Sequence, residues 1–317
     1  MSDTQDKAFP RDKTLTAIAI AYKNPDSTLV ADVVLPRVPV GTEAFDWIEY
    51  PENQEYTLPD TRVGEKSKVG HSGIGGKRQT SSTEDFGHTI QLTQKDIKQA
   101  PPGVDPAEKA TERATNIVLL DRERYAAQLV FDPAQYPATN KSDLSGGGGA
   151  EQFDETNADP LTTFLTALDA CLVRPNKLLL GQQVWSVLRR HPKLVKACRS
   201  DSGEGAITKQ DLVDLLEINE IIVGQAFVNS AKPGAAANLV RCWGKAALAF
   251  YSDRTVGTEG GITFGMTAVY GTRVAGKKEI PAGEMGLYGG LEVLAGESRK
   301  DLLIAKRAGF LFYNAIP

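Results

Sequence analysis

Histidine and cysteine are scarce in this sequence, and long apolar runs are missing altogether. Only His71, His88 and His191 occur in 317 residues, too little material for a histidine-based metal or catalytic cluster. Cys171, Cys198 and Cys242 are scattered, form no CxxC pair and are odd in number, so they read as reduced thiols in a cytosolic setting. No window reaches the eighteen or so apolar residues of a membrane span, and no membrane partner is expected. The opening MSDTQDKAFPRDK is polar and has no signal-peptide apolar region. A net charge of −4 argues against a basic nucleic-acid-wrapping protein and leaves room only for a local basic face. What is present is 41% hydrophobic and 24% charged. That is a soluble globular composition, long enough for a sizeable core and, by length, for two domains.

Catalytic motifs are missing too. The stretch Gly70-His71-Ser72-Gly73-Ile74-Gly75-Gly76-Lys77-Arg78 looks like a phosphate loop until its spacing is checked. A glycine is needed six residues before the lysine and Ser or Thr after it, and those positions hold His71 and Arg78. Gly-x-Ser-x-Gly does not occur, so the α/β-hydrolase elbow has no support. His191 follows Arg189-Arg190 at a helix end, where a cation suits the helix dipole. Asp211, Asp214 and Glu217 read as a solvated helix face. No catalytic residue, metal ligand or cofactor is therefore expected.

Along the chain, an apolar stretch Leu15 to Tyr22 precedes Val33-Val34-Leu35-Pro36-Arg37-Val38-Pro39-Val40. Two prolines in four residues favour extended chain there, an arm lying across something. Glu43 to Tyr50 suits a strand. Pro51 to Phe86 is polar, charged and glycine-rich, and Phe86, His88, Ile90 and Leu92 then alternate as a half-buried strand. Two strands around so long a polar excursion describe a functional or disordered loop that needs a neighbour to lie on. Its mixed charges (Glu55, Arg62, Glu65, Lys66, Lys68, Lys77 and Arg78 among them) suit docking on another subunit, where complementary charge fixes register.

Residues 105–131 form the strongest helix, with Asp105 as N-cap, Pro106 at N1 and Glu108 at N3 in a capping-box-like start. Ala110, Ala114, Ile117, Val118, Tyr125 and Leu129 share a face, interrupted by the charged turn Asp121 to Arg124. At 1.5 Å per residue it is roughly 40 Å long, a brace for an extended molecule. A flexible loop is expected around Gly146–Gly149, and a second helix over Leu161–Val173 behind Asp159. From Lys177 short elements alternate: a strand at Leu178–Leu180, a helix over Gln182–Arg190 stopped by His191-Pro192, and a helix from the Thr208 cap to about Glu217. Ile221–Gly224 with Ala226–Val228 suggest a strand pair. Leu239–Trp243 with Ala246–Tyr251 suggest a hairpin around Gly244-Lys245, and Phe264–Val274 a long strand. At the end, Leu291–Leu294 and Leu302–Ala305 flank a Gly-Glu-Ser-Arg-Lys-Asp turn, and Phe310–Ile316 adds a third strand of one closing antiparallel sheet. The class is α+β.

Four stretches carry a family likeness: Ala31–Val40, Asn176–Pro192, Ile207–Leu212 followed by Ile221–Ala226, and Gly286–Pro317. In that order they resemble the major capsid proteins of tailed bacteriophages, the Hong Kong 97 type fold. The resemblance implies an N-terminal arm (1–42), an extended loop (43–95) and a peripheral domain with its spine helix (96–176). It further implies an axial domain (177–261), long peripheral strands (262–310) and a final strand returning to the axial domain (311–317). It implies a structural, non-enzymatic protein whose hexamers and pentamers close an icosahedral shell around double-stranded DNA. Inter-subunit contacts would come from the loop residues named above and from Val34, Arg37 and Val38 of the arm. No coiled coil precedes the arm, so a separate scaffolding protein is an expected partner, with a portal protein and a decoration protein beside it. Lys66, Lys68 and Lys77 carry no mark of reactivity, and cross-linking is not expected. The implied location is the virion, assembled in the bacterial cytoplasm. Two other classes remain: an α+β nucleotide-handling or hydrolytic enzyme with a mobile lid at 51–86, and a tail-tube or decoration protein. The first lacks a converging catalytic set. Length and the long helix speak against the second.

Overall fold

The computed structural model describes residues 24–49, 56–65, 67–73, 75–101, 103–146, 151–199, 205–232, 234–253 and 262–317. The Leu15–Tyr22 stretch, most of the Gly146–Gly149 run, Glu55 and Lys66 lie outside them.

In the described part of the arm a 3-10 turn (Asp26–Thr28) precedes one helical turn, α1 (Ala31–Val34), and a strand forms only at β1 (Arg37–Val40). Expected strand at Val33-Val34 is thus helical, because the prolines at 36 and 39 constrain only the residues after it. A ribbon follows: β2 (Ala44–Glu49) pairs antiparallel with β3 (Lys77–Ser82), Ala44 opposite Ser82 and Glu49 opposite Lys77. The ribbon runs into β4 (Glu84–Thr93) and the short α2 (Gln94–Lys98), whose Thr93 cap and Asp96 bond reciprocally. The spine helix α3 spans Pro106–Val130, with the Asp105 carboxylate accepting from the Ala107 N–H. β5 (Lys141–Asp143) and α4 (Pro160–Ala170) come next.

A compact unit then alternates β6 (Lys177–Gly181), α5 (Gln182–Leu188), α6 (Pro192–Arg199), α7 (Lys209–Leu216) and β7 (Glu220–Gly224). Pro192 starts α6 instead of ending α5, since proline at a first helical position gives up no hydrogen bond. The Thr208 cap of α7 forms a full capping box with Asp211, and Glu217 closes the helix in the left-handed region at φ 53°. β8 (Phe227–Asn229) pairs with β9 (Leu239–Arg241), followed by β10 (Ala247–Phe250). The expected local pairings of β7 with β8 and of β9 with β10 do not form. β7 lies parallel to β6, and β10 lies between β6 and a strand from the chain's end.

That end is built differently from the sequence expectation. β11 (Gly265–Ile280) and β12 (Gly290–Leu303) are one long antiparallel hairpin, and β13 (Gly309–Tyr313) leaves it for another sheet. The Gly-Glu-Ser-Arg-Lys-Asp stretch is strand, not turn. Glu297, Arg299 and Asp301 alternate onto one face, where each is buried among charged partners.

Two sheets result. The order β1-β11-β12-β4 is antiparallel apart from β1, which runs parallel to β11. The order β5-β13-β10-β6-β7 is mixed. The second sheet is buried on both faces, which explains its unbroken apolar runs. Leu178, Leu180, Ala247, Ala249, Phe310 and Phe312 face one core, which helices α4 to α7 cover. Leu179, Leu248, Phe250 and Leu311 face another core, closed by the arm's Val34 and Leu35, the spine's Ala126, Ala127 and Val130, and Trp243.

Candidate functional site

Two features of this fold call for chemistry beyond a core: a buried charge cluster at the arm's root, and a ribbon whose described residues from 56 to 78 are all exposed.

The cluster starts on the spine helix. Its charged turn does not break the buried face as the sequence pattern suggests, because Arg122 and Glu123 lie inside it while Tyr125 is partly exposed. Glu123 accepts the N–H groups of Val30 (2.7 Å) and Ala31 (2.9 Å), the free donors that open α1. Its Oε1 also takes the Trp243 indole N–H. Burial pushes the Glu123 carboxyl up, and these three donors with the Arg122 charge offset only part of the shift. Arg122, 2% exposed, pairs with Asp32 and donates to Thr267 (3.0 Å) and the Leu35 carbonyl (3.2 Å). Arg37 bridges Asp32 and Glu297, each at 2.7 Å. Glu297 also receives Arg273 (3.0 Å) and Arg299 (3.5 Å).

Burial pushes Asp32 and Glu297 up, but the arginines outweigh it and hold both carboxyls below their ordinary values. The Nε atoms of Arg122 and Arg299 each stop 3.9 Å from Asp301, beyond hydrogen-bond reach. Apart from Arg37, which was expected as a contact residue, sequence reasoning missed this cluster. The one signal was the period-two alternation Glu297, Arg299, Asp301 in a run otherwise suited to a strand.

The predicted contact residues divide. Val34 is a correction: it is fully buried in its own chain's core, because α1 packs on the spine, and offers no surface to a neighbour. Arg37 is half-buried and committed to Asp32 and Glu297, and Val38 is half-buried opposite Ala268. Arg62, Glu65, Lys68, Lys77 and Arg78 are all exposed on the ribbon. Arg78 reaches Asp46 across it at 2.8 Å. Every described residue from 56 to 78 is exposed, including Leu58 at 93% and Val69 at 71%.

Among the described residues no three His, Cys, Asp or Glu side chains converge to hold a metal. No helix among them is long and apolar enough to cross a membrane. Burial pushes the Cys171 and Cys242 thiols up to about 11. His191, expected as a cation at a helix end, is instead buried, and burial pushes its pKa down.

No protein-family model matches the chain. The major capsid protein of Pseudomonas phage JBD67 is 44% identical over 309 residues, covering 97% of this chain and 98% of its own length. The chain belongs to the phage major capsid proteins. As a major capsid protein it is a virion component, and its relatives are named as structural proteins. The fold agrees. A crystal structure of a phage-related protein from Bordetella bronchiseptica RB50 matches with a TM-score of 0.68 at 23% identity, over 96% of this chain and 98% of the other. The capsid of cyanophage P-SCSP1u matches with a TM-score of 0.55 at 8% identity, over 88% and 86%. This major capsid protein therefore has the Hong Kong 97 type fold, with β1–β11–β12–β4 and the spine helix on one side and the compact five-stranded unit on the other.

Proposed function

We propose that the chain builds the phage head shell as hexamers and pentamers, each ribbon lying on an adjacent subunit. The observation that supports this most directly is the exposure of every described residue between 56 and 78. A segment with apolar side chains and no core must bury them elsewhere to be ordered. Residues 1–42 act as the arm, 43–95 as the extended loop, 96–176 with 262–310 as the peripheral domain, and 177–261 with 311–317 as the axial domain. Of the named contact residues, Arg62, Glu65, Lys68, Lys77 and Arg78 supply register through charge, together with Glu55 and Lys66. Arg37 and Val38 hold the arm that carries the ribbon. A separate scaffolding protein guides closure in the bacterial cytoplasm, a portal protein takes one vertex, a decoration protein caps the outside, and double-stranded DNA is enclosed without sequence preference.

The test is light scattering with negative-stain electron microscopy on the purified chain, alone and with a candidate scaffolding protein. Closed shells, or rings of five and six, are expected. Deleting Glu55 to Thr83 is expected to leave a folded, soluble subunit that forms no stable shell. Normal particles from that deletion would overturn the reading.

A further inference from the structure

The ribbon has two legs, and they reach the four-stranded sheet by different routes. β2 follows the arm through residues 41–43, and its Phe45 packs with Val40. β3 returns into β4, on the opposite edge of the sheet from β1. β11 and β12 lie between those edges, and one short run of β12 touches both roots.

On the arm side, Arg37 donates to Glu297 at 2.7 Å. On the returning side, Ser298 donates to the Thr83 hydroxyl at 3.0 Å and Lys300 pairs with Glu84. The Arg299 guanidinium lies over the Phe86 ring, 4.0 Å from its centroid. Arg299 to Glu297, 3.5 Å apart, joins the two halves. The path from arm to returning leg is Arg37, Glu297, Arg299, Phe86, and its two middle members have fully buried side chains.

We propose that the Glu297–Arg299 pair is a coupling element that makes arm docking and the set of the returning ribbon leg one event. The physical reason is the cost of an uncompensated buried charge. Glu297 shares its charge among Arg37, Arg273 and Arg299. When Arg37 leaves, the carboxylate draws closer to the partners that remain, and Arg299 turns with it. Phe86 rests on the face of that guanidinium, so the residues from Thr83 to Gly87 shift or loosen. Held in this way, both legs of the ribbon take their position from the arm. The coupling belongs to the single chain and stands whether or not shells form.

The experiment is hydrogen exchange by mass spectrometry on the full-length protein, with wild type and variants held at the same assembly state by light scattering. Arg37→Ala is expected to speed exchange across 31–40 and also across 83–87, the latter roughly three- to thirtyfold, the range for residues in one ionic network. In an Arg299→Lys background, which keeps the charge and loses the planar face, Arg37→Ala is expected to add nothing at 83–87. If that variant does not fold, Phe86→Leu removes the same contact and is expected to uncouple in the same way. Val40→Ala, which trims the direct apolar route, controls for general loosening of the arm. Faster exchange confined to the arm in Arg37→Ala would overturn the proposal. So would an unchanged Arg37→Ala effect at 83–87 in both uncoupling backgrounds, or Val40→Ala reproducing that effect in full.

Discussion

Single charged side chains decide how firmly the arm is held. Glu297 is surrounded by three arginines, so Glu297→Gln removes a buried counter-charge from Arg299, which keeps only Asp121 at 3.4 Å and Asp301 at 3.9 Å, and from the part-exposed Arg37 and Arg273. The expected loss is about 3–5 kcal/mol, read as a lower urea midpoint of the unassembled subunit. A midpoint unchanged from wild type would mean the cluster contributes nothing net. The sign of the pH dependence follows from the same groups. Asp32 and Glu297 are held below their ordinary values of 3.8 and 4.5, so the unfolded chain takes up protons first as pH falls. Their stabilisation is complete above those ordinary values and is lost as pH drops through the folded ones. Protection of the amides of residues 31–40 should therefore collapse on acidification, earlier than that of the five-stranded sheet. His191 adds a slope at higher pH. Burial pushes it below 6.5, Lys193 adds to this, and the Glu155 backbone and Asp159 oppose it. The unfolded chain again binds the proton first, so stability falls as pH drops below about 6.5. In His191→Phe the decline between pH 7 and 5 should be shallower in urea titrations than in wild type. Parallel curves would remove His191 from the account.

At the scale of elements, close packing of backbone against ring sets the joint between β7 and the spine. A Cβ on Gly224 would lie 2.2 Å from the fully buried Trp243 ring, whose N–H is fixed on Glu123. Gly224→Ala is expected to cost about 1–3 kcal/mol or more through overpacking, whereas a Cβ on Gly276 meets nothing within 4 Å. Thermal melts of the two variants separate steric cost from the loss of glycine as such. Such contacts also mark where the sequence stops being legible. The spine helix was readable because Asp105-Pro106 and Asp132-Pro133 punctuate it locally, and α7 because Thr208 and Asp211 form its cap within four residues. The expectations failed where partners lie far away along the chain. Arg122, Glu123, Glu297 and Arg299 look like solvated charge until Asp32, Arg37 and Trp243 are brought to them. The short strands β7 and β10 carry no local sign that their partners are β6 and β13 instead of the neighbouring β8 and β9. Of the predicted contact residues, the exposed ribbon positions were readable from polarity alone. Val34 was not, because nothing in its neighbours shows that α1 turns inward.

For the whole molecule, the contrast is between two cores that are closed within the chain and a ribbon that is not. Leu58 is 93% exposed and Val69 71%, values that a chain meant to remain alone has no reason to keep beside Tyr56 and Val63. Burying one leucine side chain is worth about 1.5–3 kcal/mol, and a closed shell repeats each such contact in every subunit. Leu58→Ser should therefore separate subunit stability from assembly. The urea midpoint of the unassembled chain is expected to stay within about 0.5 kcal/mol of wild type, as for surface changes generally. Assembly, followed by light scattering against protein concentration, is expected to need roughly tenfold more subunit, since about 1.4 kcal/mol per contact corresponds to that factor. If Leu58→Ser assembles at the wild-type concentration, the ribbon tip buries nothing on a neighbour, and the charged residues Arg62 to Arg78 would have to hold it alone. In that case the assembly concentration would rise steeply with salt. A wild-type response that is nearly flat in salt, together with a strong Leu58→Ser effect, would place the energy in apolar burial and leave charge the task of register.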